Sequence, residues 1–293
     1  MSRRPLILNI SVMLLAAGCT LDAAAPDELY RGWLAMYDLN FQEAHQRISR
    51  WEEAHPQNGM GPTSQATAYL FAELARLGAL ESELFVDDRK FRNRERLTPD
   101  PEARRLFMDQ IGKADDLAKR ALAESPADAD ALLAESITLG LRADYDSLIE
   151  KKTLTPLAYT KQSREYAERL LSAHPNSFDA YLAPGIENYI LSLKIAPVRF
   201  LLRLKGAQVD HDKGIDGLKK AAAHGYYLES FAKLLLAVAA LRDNKPDGAA
   251  RLLRELHERF PHNPLYLREL DRIMRPVCWS SRASRAAQHG STK

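Results

Sequence analysis

The sequence predicts an all-α protein, an irregular solenoid built from helical hairpins. Alanine, leucine, glutamate, lysine and arginine dominate every long segment, whereas the alternating valine, isoleucine and threonine typical of strands are nearly absent. The fifteen prolines cluster between amphipathic segments, where they separate one helix from the next. With 293 residues, of which 46% are hydrophobic, the chain is long enough to bury a full core.

The first predicted hairpin pairs residues 27–38 with residues 41–55, and residues 63–77 form a third helix. Gly78 follows that helix in the position of a C-terminal glycine cap. A charged run, residues 87–96, then interrupts the helices. We interpret this run as a solvated loop, and the alternative is a patch that binds an acidic partner.

The later helices also have recognisable starts. Asp100 and Pro101 combine a capping carboxylate with a proline suited to the first turn. Pro184 and Gly185 are expected to kink or break the helix that contains them. Predicted helices start near residues 101, 127, 155, 177 and 211, and residues 226–268 add a last pair joined by residues 242–246.

Residues 190–204 form the most apolar stretch after the amino terminus, interrupted by Pro197. Three basic residues lie within it, Lys194, Arg199 and Arg203. Inside an all-α chain such a stretch is typical of a buried connector, which is our prediction. The alternative is a basic amphipathic segment that lies on a membrane surface.

Four proline junctions share one helix design. Counting back from each proline, offsets of twelve, eight and five residues lie on one helical face and hold mostly small or apolar side chains. For Pro56, Pro126, Pro175 and Pro261 in turn, these residues are Ala44, Ala114, Ser163 and Ala249 at twelve; Ile48, Ala118, Ala167 and Leu253 at eight; and Trp51, Ala121, Leu170 and Leu256 at five.

This design resembles the tetratricopeptide repeat, a 34-residue helix pair with small residues at set places and a proline at its end. Gly32 and Ala237, twenty-four residues before their prolines, match the small residue of the first helix, and Phe41 matches the family's usual aromatic. The resemblance implies stacked hairpins with a concave surface. The prolines are 70, 49 and 86 residues apart, so the middle repeats need insertions. These are placed at residues 80–99, 144–155 and 195–208. A generic helical bundle is the alternative.

The amino terminus has the pattern of an export signal. Arg3 and Arg4 precede the apolar run 6–17, which is too short to span a bilayer. The sequence Ala16-Ala17-Gly18-Cys19 then resembles the lipobox of bacterial lipoproteins, although that family usually has leucine in place of the first alanine. The resemblance implies that Cys19 is acylated with palmitate-type chains and becomes the first residue of a membrane-anchored protein.

Several alternatives for this segment stay open. An ordinary secretory signal cut after Ala25 would place Pro26 directly after the cleaved bond, an arrangement that signal peptidases tolerate poorly. The two arginines fit both Sec export and twin-arginine export. By analogy with the lipoprotein family, Thr20 after the cysteine favours the outer membrane over the inner one, with the chain facing the periplasm.

These observations predict a signal peptide at residues 1–18, a helical domain at 19–271 and a basic, disordered tail at 272–293. The helical domain is either one unit or two halves, 26–143 and 156–271. The tail has five basic residues and no acidic ones. Without Arg3 and Arg4 the remaining 39 basic residues equal the 39 acidic ones, so the chain lacks the cationic surface that nucleic acids need.

No enzyme motif occurs in the sequence: there is no metalloprotease, nucleophile-elbow, phosphate-loop or paired-cysteine pattern. If Cys19 is acylated, Cys278 is the only free thiol, which excludes a disulfide within the chain. Asp210-His211-Asp212 is the densest candidate for a metal, but adjacent side chains do not converge on one point, and an aspartate there is expected to cap a helix. We predict no catalytic residues, no cofactor and no metal.

The sequence therefore predicts a lipid-anchored, tetratricopeptide-like scaffold that binds a protein or peptide partner. Aromatic and arginine side chains are the usual anchors on such surfaces. The candidates are Tyr30, Trp33, Tyr37, Tyr181, Tyr189, Arg268 and Arg272. One alternative is an envelope accessory protein that binds an apolar or peptide ligand in a pocket between helices, to which residues 190–204 contribute. Another is a hydrolase without a recognised motif.

Overall fold

The computed structural model describes residues 27–79, 97–152, 154–194, 198–200, 204 and 206–274. All regular structure in these ranges is helical, so the predicted all-α class is confirmed. Cys19 with the signal peptide, the charged run 87–96 and Cys278 in the basic tail lie outside the described residues. Among the described helices, none combines the length and the apolar character that crossing a bilayer requires.

The helices alternate with short junctions and longer connections. In chain order they are α1 (Glu28–Tyr37), α2 (Phe41–Ala54), α3 (Met60–Arg76), α4 (Pro101–Glu124), α5 (Ala129–Asp144), α6 (Thr155–Ala173), α7 (Leu182–Ser192), α8 (His211–His224), α9 (Glu229–Arg242), α10 (Pro246–Arg259) and α11 (Pro264–Met274). A π-helical turn, Tyr145–Ile149, follows α5, and a 3-10 turn, Phe178–Tyr181, precedes α7.

Consecutive helices pack as hairpins: α1 with α2, α3 with α4, α5 with α6, α7 with α8, and α9 with α10. Each hairpin also packs on the next, and α11 packs on α10. The odd-numbered helices from α1 to α9 form an inner layer, in which α1 contacts α3, α3 contacts α5, and α5 contacts α7. This stack is the irregular helical-hairpin solenoid that the sequence predicts.

Side-chain caps explain where several helices begin. Asp27, Asp100 and Asp128 accept hydrogen bonds from backbone amides in the first turns of α1, α4 and α5. Asn40 and Asp210 do the same for α2 and α8. Each cap satisfies an amide without a partner inside its helix and stabilises the helix by about 1 kcal/mol. The caps predicted at Asp100 and at the start of α8 are confirmed.

The helix face predicted from the proline junctions is buried. At the twelve-residue offset, Ala44, Ala114 and Ala249 are inaccessible to solvent and Ser163 is nearly so. The residues at the other two offsets are buried as well, except Ala121, which is partly buried. The rotational register of α2, α4, α6 and α10 was therefore predicted correctly.

One further junction was missed in the 86-residue gap between Pro175 and Pro261. It lies at Gly225, the C-cap of α8, and Tyr226 stands where the other junctions have proline. Counting back twelve, eight and five residues from Tyr226 gives Gly214, Leu218 and Ala221, and all three are buried. The design thus recurs five times, and a search for the offsets without the proline would have found the fifth.

From α2 to α9 the connections form two sets at opposite ends of the stack, because successive helices run in opposite directions. Residues 55–59, 125–128, 174–177 and 225–228 form the junction end. Neighbouring junctions are bonded there: Asn58 donates to Asp130, and the His174 ring donates to the carbonyl oxygen of Ala127. The described residues of the longer connections, within 77–100, 145–154 and 193–210, form the insertion end.

Side chains of α1 close the stack into a ring. The Tyr30 ring stacks on Tyr226 with the ring centroids 4.4 Å apart, and Trp33 packs against Tyr227 at 5.7 Å. The Tyr37 hydroxyl donates a 2.9 Å hydrogen bond to the carbonyl oxygen of Tyr227. The first helix therefore contacts the chain segment that leads into α9, and we call this closed arrangement the ring.

The junction between α10 and α11 adds to the closure. His262 bonds the Asp38 carboxylate through its backbone amide and its imidazole, at 2.9 and 2.6 Å. Asn263 Nδ2 donates 2.8 Å to the carbonyl oxygen of Tyr37, whose ring lies 5.7 Å from that of Phe260. One hydrophobic cluster consequently extends from the first hairpin to α11.

The described part of residues 190–204 does not form the predicted buried connector. Leu191 is buried, but the other large apolar side chains described in this stretch are between 36% and 69% accessible: Ile190, Leu193, Val198, Phe200 and Leu204. The physical reason is the position of the stretch. The chain leaves α7 at the insertion end, so these side chains extend past the layer of helices that buries the rest.

The break expected at Pro184 and Gly185 also lies elsewhere. The irregular backbone is the 3-10 turn that precedes α7, and α7 starts at Leu182. Pro184 therefore falls in the first turn, where its missing N–H has no intrahelical partner to lose. Gly185 permits a close crossing, because a Cβ atom there would lie 3.0 Å from the backbone nitrogen of Leu218.

Candidate functional site

The ring encloses a narrow space of about 70 Å³, which we call the ring cavity. Its walls come from the inner helices and are mainly aromatic and aliphatic. Trp33 and Tyr37 line it from α1, Phe71 from α3 and Phe231 from α9. Phe71 and Phe231 meet edge to face with their centroids 5.6 Å apart, so these two side chains narrow the space between α3 and α9.

Helix α5 supplies the longest wall. Leu133, Ile137, Gly140 and Asp144 line the cavity at helical spacing. The first and the last are eleven positions apart, which corresponds to about 16 Å along the helix axis. Asp144 lies at the end of α5 that reaches the insertion end.

Most polar groups in the cavity wall have partners within the chain. The hydroxyls of Ser136 and Ser163 each donate to the other residue's carbonyl oxygen, at 3.0 and 2.7 Å. Thr67 Oγ1 donates to the carbonyl oxygen of Thr63 at 2.8 Å, and Trp33 Nε1 donates to Ser64 Oγ at 2.8 Å. These groups have no donor to offer a ligand without breaking a bond of the fold.

Asp179 joins the cavity wall to the junction end. Its carboxylate accepts hydrogen bonds from the backbone amides of Tyr226, Tyr227 and Leu228, at 2.9, 3.1 and 2.9 Å. Burial raises the pKa of this carboxyl group, and the three amide donors oppose the rise. Asp179 thus fixes the segment that carries the tyrosines in contact with α1.

Asp144 is the exception among the polar groups. No hydrogen bond or ion pair joins its carboxylate to another residue in the described part of the chain, and no lysine, arginine or histidine lines the cavity there. Burial alone raises the pKa of Asp144 to about 7. Asp144 is only partly buried, so solvent reaches its carboxylate.

The predicted binding residues of α1 do not form an exposed anchor surface. Trp33 and Tyr37 are 2% and 6% accessible and line the ring cavity. Burial raises the pKa of the Tyr37 phenol. Tyr30 lies at the ring closure, where its hydroxyl accepts a 2.7 Å hydrogen bond from Arg259, which also pairs with Glu229 at 2.6 Å. Two of the three residues thus meet in the cavity.

The other predicted residues are dispersed. Tyr181 is partly buried against the core with Lys220 over its ring, and Tyr189 is buried beside α8 with its ring 5.4 Å from His211. Arg268 is exposed on α11, and Arg272 on the same helix pairs with Glu269. The structure does not bring these four together with the α1 residues, and their role in partner binding stays a prediction.

The side chains of Asp210 and His211 contact a helix start and nearby carboxylates. Asp210 caps α8, and His211 lies 3.3 Å from Asp212 and 3.6 Å from Asp243, measured from its ring nitrogens to carboxylate oxygens. Across the described ranges no group of three or more histidine, cysteine, aspartate or glutamate side chains is arranged to hold a metal ion.

A second depression, of about 340 Å³, lies on the outer face of α2. It is larger than the ring cavity, but it is shallow and is lined only by polar and charged side chains, so it lacks the apolar walls of a small-molecule site. The lining residues are Asn40, Gln42, Glu43, Gln46, Arg47 and Arg50.

No protein-family model matches the chain, and the search of curated proteins found no match. Among solved structures, the chain is similar to the crystal structure of a thermophilic tetratricopeptide-repeat protein of Thermus thermophilus. The two share 16% sequence identity with a TM-score of 0.43, and the match covers 83% of this chain and 96% of the other.

Proposed function

We propose that the protein is a non-catalytic scaffold, anchored to a membrane of the bacterial cell envelope through Cys19, which binds a protein partner at its insertion end. The observation that carries the proposal is the group of apolar side chains exposed there. Leu193, Val198, Phe200 and Leu204 lie in one connection, and Leu154, which is 79% accessible, ends another. Exposed apolar side chains that cluster in this way mark interaction surfaces.

The ring closure favours this surface over the concave one that open solenoids use. The inner helices contact one another through Trp33, Phe71 and Phe231, which leaves about 70 Å³ inside the ring. A peptide backbone in extended or helical form does not fit a space of this size, since ligand pockets typically measure about 300–1,000 Å³. A folded partner therefore has to bind outside the ring.

The exposed connection is held in place at both ends. Arg199 Nη1 donates to the carbonyl oxygens of Ser192 and Lys194, at 3.2 and 3.0 Å. At the other end Gln208 accepts a 2.9 Å bond from Asn188 and donates a 2.6 Å bond to Glu168. A surface fixed in this way loses little conformational entropy when a partner binds.

The position of the amino terminus supports an orientation in which the insertion end faces away from the membrane. Helix α1 begins near the junction end, and Asp27 lies only eight positions after Cys19. Fully extended, eight residues span about 27 Å, so a lipid on Cys19 would hold the ring close to the bilayer. The insertion end, at the opposite side of the stack, would then face the periplasm and its proteins.

The partner surface is tested by photo-crosslinking in cells. A photoreactive amino acid at position 200 or 204 is expected to give a discrete protein adduct, because both side chains lie on the proposed surface. The matched control is position 267, since Leu267 is an exposed leucine on α11 with 46% accessibility. Adducts of equal yield at all three positions would contradict the proposal, and so would an adduct that persists when Leu193 and Val198 are both replaced by serine.

The anchor is tested separately. Cys19→Ala removes the thiol to which the lipid would be attached, so the chain is expected to leave the membrane fraction when cells are broken without detergent. A Cys278→Ala variant serves as control and is expected to stay with the membrane. Retention of the Cys19→Ala chain at the wild-type level would show that the lipid on Cys19 is not the anchor.

A further inference from the structure

We propose that Arg164 is the positioning residue of the partner surface, because its buried guanidinium holds the connection 193–210 in the conformation that a partner recognises. The inference rests on the proposed function, since it names what keeps that surface in place. It is carried by a group of charged and amide side chains between α6, α7 and the end of the connection. We call this group the Arg164 network, and its members are Arg164, Glu168, Glu187, Asn188 and Gln208.

Arg164 bonds three separate parts of the chain. It lies on α6, and its side chain is only 7% accessible. Its Nε donates to the carboxylate of Glu187 on α7, and its Nη1 donates to Glu168 at 2.6 Å. Nη2 donates a longer bond, 3.4 Å, to the carbonyl oxygen of Gly206 in the connection itself. One planar guanidinium thus joins two helices and the connection, which the fixed fork of its donors permits.

Gln208 adds a second set of bonds between the connection and the helices. Its Nε2 donates to Glu168 at 2.6 Å, and its Oε1 accepts a 2.9 Å bond from Asn188. Asn188 is buried on α7 and also donates to the carbonyl oxygen of Pro184 at 3.0 Å. The connection therefore returns to the helix stack through Gly206 and Gln208, and both are bonded to α6 or α7.

The backbone at Gly206 links the network to the exposed apolar side chains. Its φ is +79°, in the left-handed region that favours glycine, so the chain turns at the residue whose carbonyl oxygen Arg164 holds. Leu204, which is 69% accessible, comes two positions before this turn. A change in the turn would therefore move a side chain of the partner surface.

The energetics of the buried pair favour a role in positioning. Glu187 is 2% accessible, so burial raises the pKa of its carboxyl group, and Arg164 opposes the rise. The attraction between two buried charges often does no more than offset the cost of removing both from water, and apolar pairs of similar volume are often as stable. Apolar side chains cannot, however, bond the carbonyl oxygen of Gly206. The pair therefore supplies directed bonds that fix the connection.

A double variant separates positioning from stability. Arg164→Met combined with Glu187→Met removes both buried charges at similar volume, so the chain is expected to unfold near the wild-type temperature. Hydrogen exchange of the purified full-length chain is expected to become faster by about tenfold or more at residues 206–210. The reason is that loss of one hydrogen bond to a charged group shifts a local opening equilibrium by about that factor.

Partner binding is measured with the photoreactive amino acid at position 200. When the connection samples other conformations, the apparent affinity falls in proportion to the fraction that remains competent, and we expect the adduct yield of the double variant to fall by about tenfold. Arg164→Lys keeps the charge beside Glu187, but one ammonium cannot bond Glu187, Glu168 and Gly206 at once. We expect this variant to show a smaller change in the same direction, in both exchange and adduct yield.

Two further variants serve as references. Arg169→Met is the matched control, because it makes the same substitution on the same helix near the junction end, where Arg169 donates a 3.1 Å bond to the carbonyl oxygen of Pro126. We expect it to keep wild-type exchange at residues 206–210 and the wild-type adduct. Arg164→Met alone leaves the charge of Glu187 buried without its partner, so it is expected to unfold at a lower temperature than the double variant.

The inference is overturned if the double variant keeps wild-type exchange at residues 206–210, or if its exchange rises while the adduct yield at position 200 stays unchanged. It is also overturned if the double variant is no more stable than Arg164→Met, since the pair would then be required for stability. Absence of a position-specific adduct in the wild type would contradict the proposed function instead, and hydrogen exchange would still test whether Arg164 holds the connection.

Discussion

A Gly214→Ala variant is expected to unfold at a temperature several degrees below that of the wild type. At Gly214 helix α8 crosses α7 so closely that a Cβ atom would lie 2.5 Å from the backbone nitrogen of Tyr189 and 2.8 Å from its Cα. Backbone atoms of a packed helix cannot rotate away, so the two helices must separate. We expect a net loss of about 1–3 kcal/mol in the free energy of unfolding, even after the gain in helix propensity from glycine to alanine.

Gly112→Ala is the matched control for this prediction. Gly112 is also an interior residue of a helix, α4, but no atom lies within 4 Å of where its Cβ would be. Here only the helix propensity changes, so the free energy of unfolding of the variant is expected to rise by about 0.5–1 kcal/mol. Thermal and urea unfolding of the two variants measure the contrast. Equal stability of both would show that the α7–α8 crossing is wider than described.

The second large effect is expected at Asp179. Its replacement by alanine leaves the backbone amides of Tyr226, Tyr227 and Leu228 without their acceptor at a site that is largely buried. Unsatisfied buried donors cost about 1–3 kcal/mol each, and partial access of water lowers the sum. We therefore expect the free energy of unfolding to fall by an amount on the order of 3–5 kcal/mol. Asp179→Asn keeps one acceptor oxygen and should lose less.

Hydrogen exchange distinguishes a local effect at Asp179 from general destabilisation. Because Tyr226 and Tyr227 contact α1, we expect the amides of α1 and of residues 226–228 to lose protection together in Asp179→Asn. Asp210→Asn is the control, since Asp210 caps a helix at an exposed site and asparagine is an equally good cap. Wild-type protection of α1 in Asp179→Asn would contradict the role of Asp179 in the ring closure.

The helical hairpins could be predicted from the sequence because their signals are local. Small and apolar residues at three fixed offsets define the buried face of each even helix, and the caps at Asp100 and Asp210 depend on amides within three residues. The fifth hairpin was missed only because proline was required at its junction. Gly214 and Ala221 show that the same offsets hold where the chain has Gly225 and Tyr226 instead.

The ring closure and the cavity could not be predicted in this way. The bond from Tyr37 to Tyr227 joins residues 190 positions apart, and that from His262 to Asp38 spans 224 positions. No local pattern contains such information. Asp144 likewise looks in the sequence like an ordinary polar residue at a helix end, and no local pattern shows that it lines the cavity.

The exposed side chains of residues 190–204 illustrate a different limit. The composition of this stretch indicates burial, since isoleucine, leucine, valine and phenylalanine are usually inside a protein. Burial depends, however, on whether another element covers the segment, and Phe200 and Leu204 lie beyond the helix stack, at 63% and 69% accessibility. From the sequence alone, an exposed segment of this composition cannot be distinguished from a segment that belongs to the buried core.

The contacts of Tyr30 and Tyr37 with the last hairpin change how the molecule can lose its structure. A linear array of repeats has two free ends and unravels from them one unit at a time. Here the two ends of the array cover each other, so neither can detach without exposing the apolar face of the other. The first and last hairpins are thereby made thermodynamically interdependent, and a chain of units that interact with nearest neighbours acquires the cooperativity of a single globular domain.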